Sequence, residues 1–209
     1  MVSYLDLKNT VVIPNGFEMD IPVTILPKTN PVPVLITVGN VTQRKGQQNI
    51  INALPNFLEK YPDLKYHIVG IPTERNKLEQ LALKLNVENT IVFFGKVSEN
   101  EKIELIQQAD VFVMLSETTK AGDAEGFGIA ILEANALGIP AIGSFGGGIE
   151  DAIKVGTSGK LINNKEPKEL LFALQDVLNN YEVYSQGAKN WAQNFTWKKV
   201  IKRYLEILK

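Results

Sequence analysis

The stretch at residues 110–144, DVFVMLSETTKAGDAEGFGIAILEANALGIPAIGS, places a short apolar run on each side of a longer segment with helical character. The two flanking runs, DVFVML and IPAIGS, are continuous and apolar, as is typical of strands buried on both faces of a parallel sheet. Residues 127–137 between them favour a helix. A strand, a helix and a second strand in this order indicate an α/β domain.

The same alternation extends along most of the chain. Strands are predicted at residues 34–39, 66–70, 90–95, 110–115, 139–144 and 159–162, and helices at 47–61, 77–85, 99–108 and 127–137. This pattern predicts an α/β fold, a Rossmann-like doubly wound parallel sheet flanked by helices. Residues 1–33 differ, because VVIPNG at 11–16 predicts a short isolated strand and the proline-rich LPKTNPVP at 26–33 is typical of a linker.

Composition restricts the classes of function. The chain has 209 residues, 44% hydrophobic and 22% charged, as in ordinary globular proteins. A formal net charge of −1 gives no electrostatic argument for nucleic acid, and the lack of cysteine excludes disulfides and thiolate metal sites. The opening MVSYLDLKNT has no signal-peptide core, and no apolar run is long enough to span a membrane. We therefore expect a cytoplasmic protein.

The last segment, FTWKKVIKRYLEILK, predicts an amphipathic helix that begins after Thr196. The face opposite its apolar residues carries Lys198, Lys199, Lys202 and Arg203. Two interpretations stay open for these cations: a solvated helix face, which base rates favour, and peripheral contact with the anionic inner face of a membrane. The apolar face needs a partner in either case.

Three loops that follow predicted strands carry polar or glycine-rich chemistry. VGNVTQRKG at residues 38–46 has Gly39, which permits close backbone approach, and the cations Arg44 and Lys45 just before a helix. These cations form a candidate phosphate clamp, although the loop is not a Walker motif and is equally compatible with an exposed basic turn. The glycine-rich GSFGGGIEDA at 143–152 suits either close approach of a ligand or a tight turn.

The loop AGDAEGFG at residues 121–128 combines glycines at a helix N-terminus with the carboxylate of Glu125. Glu133 lies eight positions further on, which is about 12 Å along a helix axis. That separation is too large for a shared proton or metal ion, but it suits hydroxyl groups at two ends of an elongated ligand with an anion held between them. Glu133 is surrounded by apolar sequence neighbours, which disfavours the alternative of an ordinary surface glutamate.

Several motifs occur in a fixed order along the chain: VIPNG, VGNVTQRKG, FFGKVSENE, ADVFVMLS, EGFGIAILEANALGIPAI and GGGIEDAI. In this order the chain resembles the C-terminal domain of the retaining glycosyltransferases with a GT-B fold, glycosyltransferase family 4 (group 1). The E-x7-E pattern from Glu125 to Glu133 is the most specific part. The resemblance implies one half of a GT-B fold, with an interdomain linker at 1–33 and a nucleotide-sugar-binding domain at 34–209 that ends in a helix crossing to the other domain.

The resemblance also implies residue roles. Glu125 and Lys45 would be catalytic, with Lys45 on the donor diphosphate and Glu125 against the donor sugar, and Glu133 would hold the ribose hydroxyls. The other implied donor-binding positions are Gly39, Asn40, Arg44, Phe127, Gly128, Ile129, Lys96 and Val97, with the backbone of the last two near the base. Asn40 departs from the family, which has an arginine there, and Arg44 is the candidate replacement.

The implied reaction is transfer of a hexose from a nucleoside-diphosphate sugar with retention of anomeric configuration, without a metal or other cofactor. The acceptor, a sugar or a lipid, would be bound by an N-terminal domain that has no counterpart in this sequence, so we expect the chain alone to be inactive. Two alternatives stay open: a non-catalytic nucleotide- or sugar-binding module, and a nucleotide-sugar epimerase of the same fold. The carboxylates of Asp123 and Glu125 suggest a divalent metal only weakly, and His67 is expected to be structural.

Overall fold

A computed structural model describes residues 10–19, 32–164 and 166–208. The six strands are β1 (Val34–Val38), β2 (Lys65–Val69), β3 (Ile91–Gly95), β4 (Val111–Met114), β5 (Ala141–Ser144) and β6 (Gly159–Ile162). The eight α-helices in the described ranges are α1 (Gln47–Leu58), α2 (Arg75–Lys84), α3 (Glu99–Gln108), α4 (Ile129–Ala136), α5 (Ile149–Ala152), α6 (Pro167–Asn179), α7 (Tyr181–Ala192) and α8 (Trp197–Ile207).

The six strands form one parallel sheet in the order β3-β2-β1-β4-β5-β6. This arrangement confirms the predicted Rossmann-like fold. The strand order reverses between β1 and β4, which are neighbours in space although β2 and β3 separate them in sequence. In open sheets of this type ligands bind in the crevice at the carboxyl ends of the strands where the order reverses.

Each face of the sheet is covered by its own apolar core, because successive side chains of a strand point to opposite faces. Leu35 contributes to the core beneath α1, α2 and α6, whereas Ile36 contributes to the core beneath α3, α4 and the end of α7. In β4, Val113 contributes to the first of these cores and Phe112 to the second. The chain therefore leaves β1 towards one face, through α1, and leaves β4 towards the other, through α4.

Most of the predicted elements are confirmed, and two parts of the prediction are wrong. Residues 11–16 form no strand; within residues 10–19 only Phe17 bridges to another segment, at Thr196. Helices α6 and α7 were not predicted. Much of the predicted linker, residues 1–9 and 20–31, lies outside the described residues, so the division of the chain at residue 33 stays a prediction.

Helix α8 is anchored to the domain at its first turn. The amide N of Trp197 donates to the carbonyl O of Phe17 at 3.2 Å, and Val200 is fully buried. The other apolar side chains of the helix are exposed: Trp197, Ile201, Tyr204, Leu205, Ile207 and Leu208. In the part of the chain that the structure describes, no helix has the length and apolarity to cross a membrane.

Gly46 brings the β1–α1 turn against the end of β4. Its φ is +75°, and a Cβ at this position would lie 1.7 Å from the carbonyl O of Leu115. Only glycine meets both requirements, since an L side chain strains the left-handed backbone and here also overlaps backbone atoms. This contact fixes the distance between the two loops that follow β1 and β4.

We predict that Gly46→Ala destabilises the protein strongly, by more than about 3 kcal/mol, because backbone strain and a backbone overlap add together. Gly122→Ala is the matched control, since Gly122 also has a positive φ, +83°, but no atom lies within 4 Å of the added Cβ. The control should lose only about 1–2 kcal/mol. Urea unfolding of the two variants measures the difference, and equal losses would contradict the role of the close contact.

Candidate nucleotide-sugar site

Two loops meet where the strand order reverses. The β1–α1 turn contributes Arg44 and Lys45, and the β4–α4 loop contributes Asp123 and Glu125. The loops are joined through their backbones as well, because the amide N of Glu117 donates to the carbonyl O of Arg44 at 3.0 Å. The predicted phosphate clamp and the first glutamate of the E-x7-E pattern are thus parts of one cluster.

The carboxylate of Glu125 lies between the two cations. Its Oε2 atom is 2.8 Å from Nζ of Lys45 and also accepts from the guanidinium of Arg44. Asp123 pairs with the same guanidinium at 3.1 Å. Only 10% of the Glu125 side chain is exposed, against 66% for Asp123. Glu125 is therefore the main counter-charge of the clamp, a role that sequence spacing did not reveal.

Gly39 and Asn40 lie at the carboxyl end of β1, beside this cluster. The Lys45 side chain passes over Gly39, with its Cε 3.1 Å from the point where a Cβ would stand. The carbonyl O of Asn40 accepts from Nε2 of the buried Gln47 at 3.2 Å, and Asn40 is exposed. The absence of a side chain at Gly39 thus leaves the path along which Lys45 reaches Glu125.

Glu133, the second glutamate of the pattern, lies in α4 with a separate cationic partner. Nζ of Lys102, from α3, is 3.0 Å from Oε1 of Glu133 and 2.7 Å from Oε1 of Glu99. Burial acts to lower the pKa of Lys102, but its hydrogen bond to Glu99 and the charge of Glu133 outweigh burial and raise it. Lys102 was not among the predicted site residues. The signal was Glu133 itself, since a carboxylate among apolar residues needs a partner.

A pocket of about 260 Å³ opens between the ends of β1, β2 and β3. It is lined by Val38, Gly39, Asn40, Val69, Gly70, Ile71, Lys96, Val97, Ser98, Glu99 and Lys102. Four predicted positions therefore line one cavity: Gly39, Asn40, Lys96 and Val97. Glu125, Arg44 and Lys45 form the cluster at the neighbouring strand end instead.

Phe127, Gly128 and Ile129 form the start of α4. The Phe127 ring is buried and packs on the ring of Phe195 at a centroid distance of 5.6 Å, so only its backbone is available to a ligand. Gly128 is the N-cap residue with φ +82°, and Ile129 is partly exposed. The helix dipole and the amide groups of its first turn favour an anion at this point.

The triple glycine at residues 146–148 packs against the β4–α4 loop. A Cβ on Gly148 would lie 1.9 Å from the carbonyl O of Gly126, and the amide N of Gly148 donates to the carbonyl O of Glu125 at 3.0 Å. Of the two interpretations for this run, the structure supports a tight turn. Through this hydrogen bond the turn also holds the backbone of Glu125.

The histidine candidate does not belong to the cluster. His67 lies mid-strand in β2, with its ring 5.0 Å from the ring of Phe94, and burial lowers its pKa. Among residues 10–19, 32–164 and 166–208, no group of three His, Asp or Glu side chains is placed to hold a metal ion. Asp123 and Glu125 both pair with cations of the protein instead.

Comparison with known proteins identifies the family. Residues 24–194 match the family model described as glycosyl transferases group 1. The chain belongs to this family. Among the curated members, it is 30% identical over 181 residues to a GDP-mannose-dependent alpha-(1-6)-phosphatidylinositol monomannoside mannosyltransferase of Mycolicibacterium smegmatis. That match covers 84% of this chain and 47% of the relative, so the chain spans about half the length of the relative.

Solved structures give the same fold for this group 1 chain. Sucrose-phosphate synthase from Thermosynechococcus elongatus aligns with a TM-score of 0.80 and 22% identity, over 97% of this chain and 52% of that one. Anabaena HepE in complex with UDP-glucose aligns with a TM-score of 0.71 and 24% identity, over 85% of this chain and 49% of that one. At these identities the likeness concerns the fold alone, and it confirms the predicted half of a GT-B architecture.

We predict that Glu125→Gln destabilises this group 1 chain by about 1.5–3 kcal/mol, because Arg44 and Lys45 lose a largely buried charged acceptor. Asp123→Asn is the control on the same loop. It removes an exposed pair with Arg44 and should cost less than about 1 kcal/mol. Thermal and urea unfolding provide the measurement, and a Glu125 variant as stable as the control would contradict the central place of Glu125 in the cluster.

Proposed function

We propose that the chain is the donor-binding half of a glycosyltransferase that moves a hexose from a nucleoside-diphosphate sugar to an acceptor, with retention of anomeric configuration. The observation that carries this proposal is the pair of cations, Arg44 and Lys45, held on Glu125 where the strand order reverses. Family membership supports transfer of a glycosyl group. The relative named for GDP-mannose and the neighbour bound to UDP-glucose support a nucleotide sugar as donor.

The donor diphosphate is assigned to Arg44 and Lys45. Both cations contact the Glu125 carboxylate, and a phosphate oxygen can take the place of a carboxylate oxygen as their acceptor. Binding would therefore exchange Glu125 for the diphosphate and release the carboxylate towards the donor sugar. Asn40, next to Gly39, carries no positive charge, so Arg44 supplies the second cation at the diphosphate.

The nucleoside is assigned to the pocket at the ends of β1, β2 and β3. The backbone of Lys96 and Val97 would meet the base, Gly39 and Asn40 would lie against the nucleoside, and Glu133 would accept hydrogen bonds from ribose hydroxyls. The donor sugar would contact Glu125 and the backbone of residues 127–129. The site thus follows an elongated ligand from base to sugar.

In the reaction, the bond between the anomeric carbon and the diphosphate oxygen breaks, and the diphosphate leaves with the bonding electrons. Lys45, Arg44 and the N-terminus of α4 stabilise the negative charge that develops on it. Preorganised charges at a leaving group lower the barrier without a metal ion. Glu125, freed from the clamp, would position the sugar for attack by an acceptor hydroxyl on the face that the diphosphate leaves, which retains configuration. The departing diphosphate oxygen would take up the hydroxyl proton.

The acceptor is assigned to the part of the full-length protein outside this chain, so the chain alone would bind donor without transferring sugar. We propose that the exposed apolar face of α8, which includes Ile201 and Leu205, packs against that part. The alternative occupant is an anionic membrane surface, because Lys198, Lys199, Lys202 and Arg203 lie beside this face. The named acceptor of the mycobacterial relative, a phosphatidylinositol monomannoside, supports a lipid or a sugar as acceptor.

We predict that the chain binds one of UDP, GDP and ADP in calorimetry, with affinity unaffected by EDTA. Lys45→Ala should weaken the diphosphate at least about tenfold but leave the matching nucleoside nearly unchanged, because a charge-assisted bond contributes about 1.5–3 kcal/mol. Lys84→Ala, at the exposed end of α2, is the matched control and should bind like the wild type. Equal losses for diphosphate and nucleoside in Lys45→Ala would contradict the clamp.

We predict that the double substitution Ile201→Gln and Leu205→Gln changes the free energy of unfolding by less than about 0.5 kcal/mol per site, since both side chains are exposed. Val200→Ala, on the buried side of α8, should cost about 1–3 kcal/mol. A large loss in the double variant would show that the face is already packed within this chain. Sedimentation with phosphatidylglycerol vesicles separates the occupants: binding lost in the double variant would favour the membrane.

A further inference from the structure

Lys102 of α3 pairs with two glutamates beside the nucleoside pocket. Its ammonium group lies 3.0 Å from Glu133 of α4 and 2.7 Å from Glu99 at the start of its own helix. Lys102 and Glu133 are both 15% exposed, whereas Glu99 is 65% exposed. Lys102 also lines the pocket, which Glu99 and the Lys96–Val97 backbone complete.

The ion pair leaves half of the Glu133 carboxylate unused. Within the described residues, Lys102 is the partner that Glu133 contacts, and it contacts Oε1. A carboxylate accepts hydrogen bonds at both oxygens, so Oε2 stays available to a hydroxyl donor. Lys102 thereby fixes the carboxylate by one oxygen and leaves the other for a ligand.

Because the Glu133 side chain is largely buried, its partner Lys102 affects where the carboxylate points. A carboxylate in the apolar surroundings of α4 would tend to turn towards water. The adjacent ammonium group opposes this movement, and its own raised pKa keeps it charged under ordinary conditions. Glu99 holds the lysine from the solvent side.

We propose that Lys102 is a positioning residue that orients the Glu133 carboxylate, so that the site selects a ribose with free hydroxyls over one that lacks them. The inference rests on the proposed function. It assigns the preference of the site for ribose to Lys102, a residue that need not touch the ribose. The ligand feature recognised is the pair of 2′ and 3′ hydroxyls. Each donates to a carboxylate oxygen more strongly than to a neutral acceptor.

The test compares UDP, GDP and ADP with their 2′,3′-dideoxy counterparts by calorimetry on the 209-residue chain. The wild type should prefer the ribonucleotide that it binds by about 10- to 100-fold, as expected for a hydrogen bond to a charged group. Lys102→Met should reduce this preference to a few-fold by weakening the ribonucleotide and not the dideoxy compound. Lys102→Arg should restore most of it, and Lys84→Met should leave it unchanged.

Two further variants separate positioning from stability. Glu133→Gln should abolish the preference, and adding Lys102→Met to it should cause no further loss, because both act through one carboxylate. Glu99→Gln keeps the lysine and alters only its exposed partner, so it should fold normally and lower the preference by a smaller factor. It keeps the test decisive if Lys102→Met does not fold.

The possible results test the role of Lys102 separately from the proposed function. A Lys102→Met protein that is less stable but keeps the full preference for ribose would overturn the inference and make the ion pair a simple link between α3 and α4. If Lys102→Met does not fold, a Glu99→Gln chain with an unchanged preference would overturn it equally. No binding of UDP, GDP or ADP by the wild type would overturn the proposed function together with the inference.

Discussion

The arrangement of the site depends on one constraint of the sheet: β1 and β4 are neighbours, but the chain leaves them towards opposite faces. The β1–α1 and β4–α4 loops therefore diverge at the carboxyl ends of these strands and leave a crevice between them. Gly46 limits how far they separate, because its missing side chain lets the β1–α1 turn touch Leu115. Arg44 and Lys45 then reach Glu125 across the crevice.

The two glutamates that begin and end the E-x7-E pattern are each paired with cations from another element. Glu125 takes two from the β1–α1 turn, and Glu133 takes one from α3. Under the proposed function the two pairs behave differently. The diphosphate would replace Glu125 at its cations, whereas the ribose would bind Glu133 while Lys102 remains in place. One pair is exchanged on binding, and the other is kept.

The sequence predicted the sheet well because its strands are continuous apolar runs bounded by glycine and polar loops. It failed at residues 11–16, which form no strand; within residues 10–19 only Phe17 forms a β-bridge, to Thr196. Helix α6 was missed although Leu170, Leu174 and Val177 recur at helical spacing. Helix α7 is harder, since it contains Gly187, whose place is explained by close contact with the carbonyl O of Thr157. The spacing of the glutamates pointed to a site, but their cationic partners lie 31 to 81 positions away in the sequence, and only the fold brings them together.

The most direct measurement is a crystal structure of the chain with the nucleoside diphosphate that it binds. We expect phosphate oxygens within hydrogen-bond distance of Lys45 and Arg44, with Glu125 displaced from both cations. We also expect a ribose hydroxyl on Oε2 of Glu133, with Lys102 still on Oε1. A nucleotide bound elsewhere, with Glu125 still paired to Arg44 and Lys45, would contradict the assignment of this cluster as the donor site.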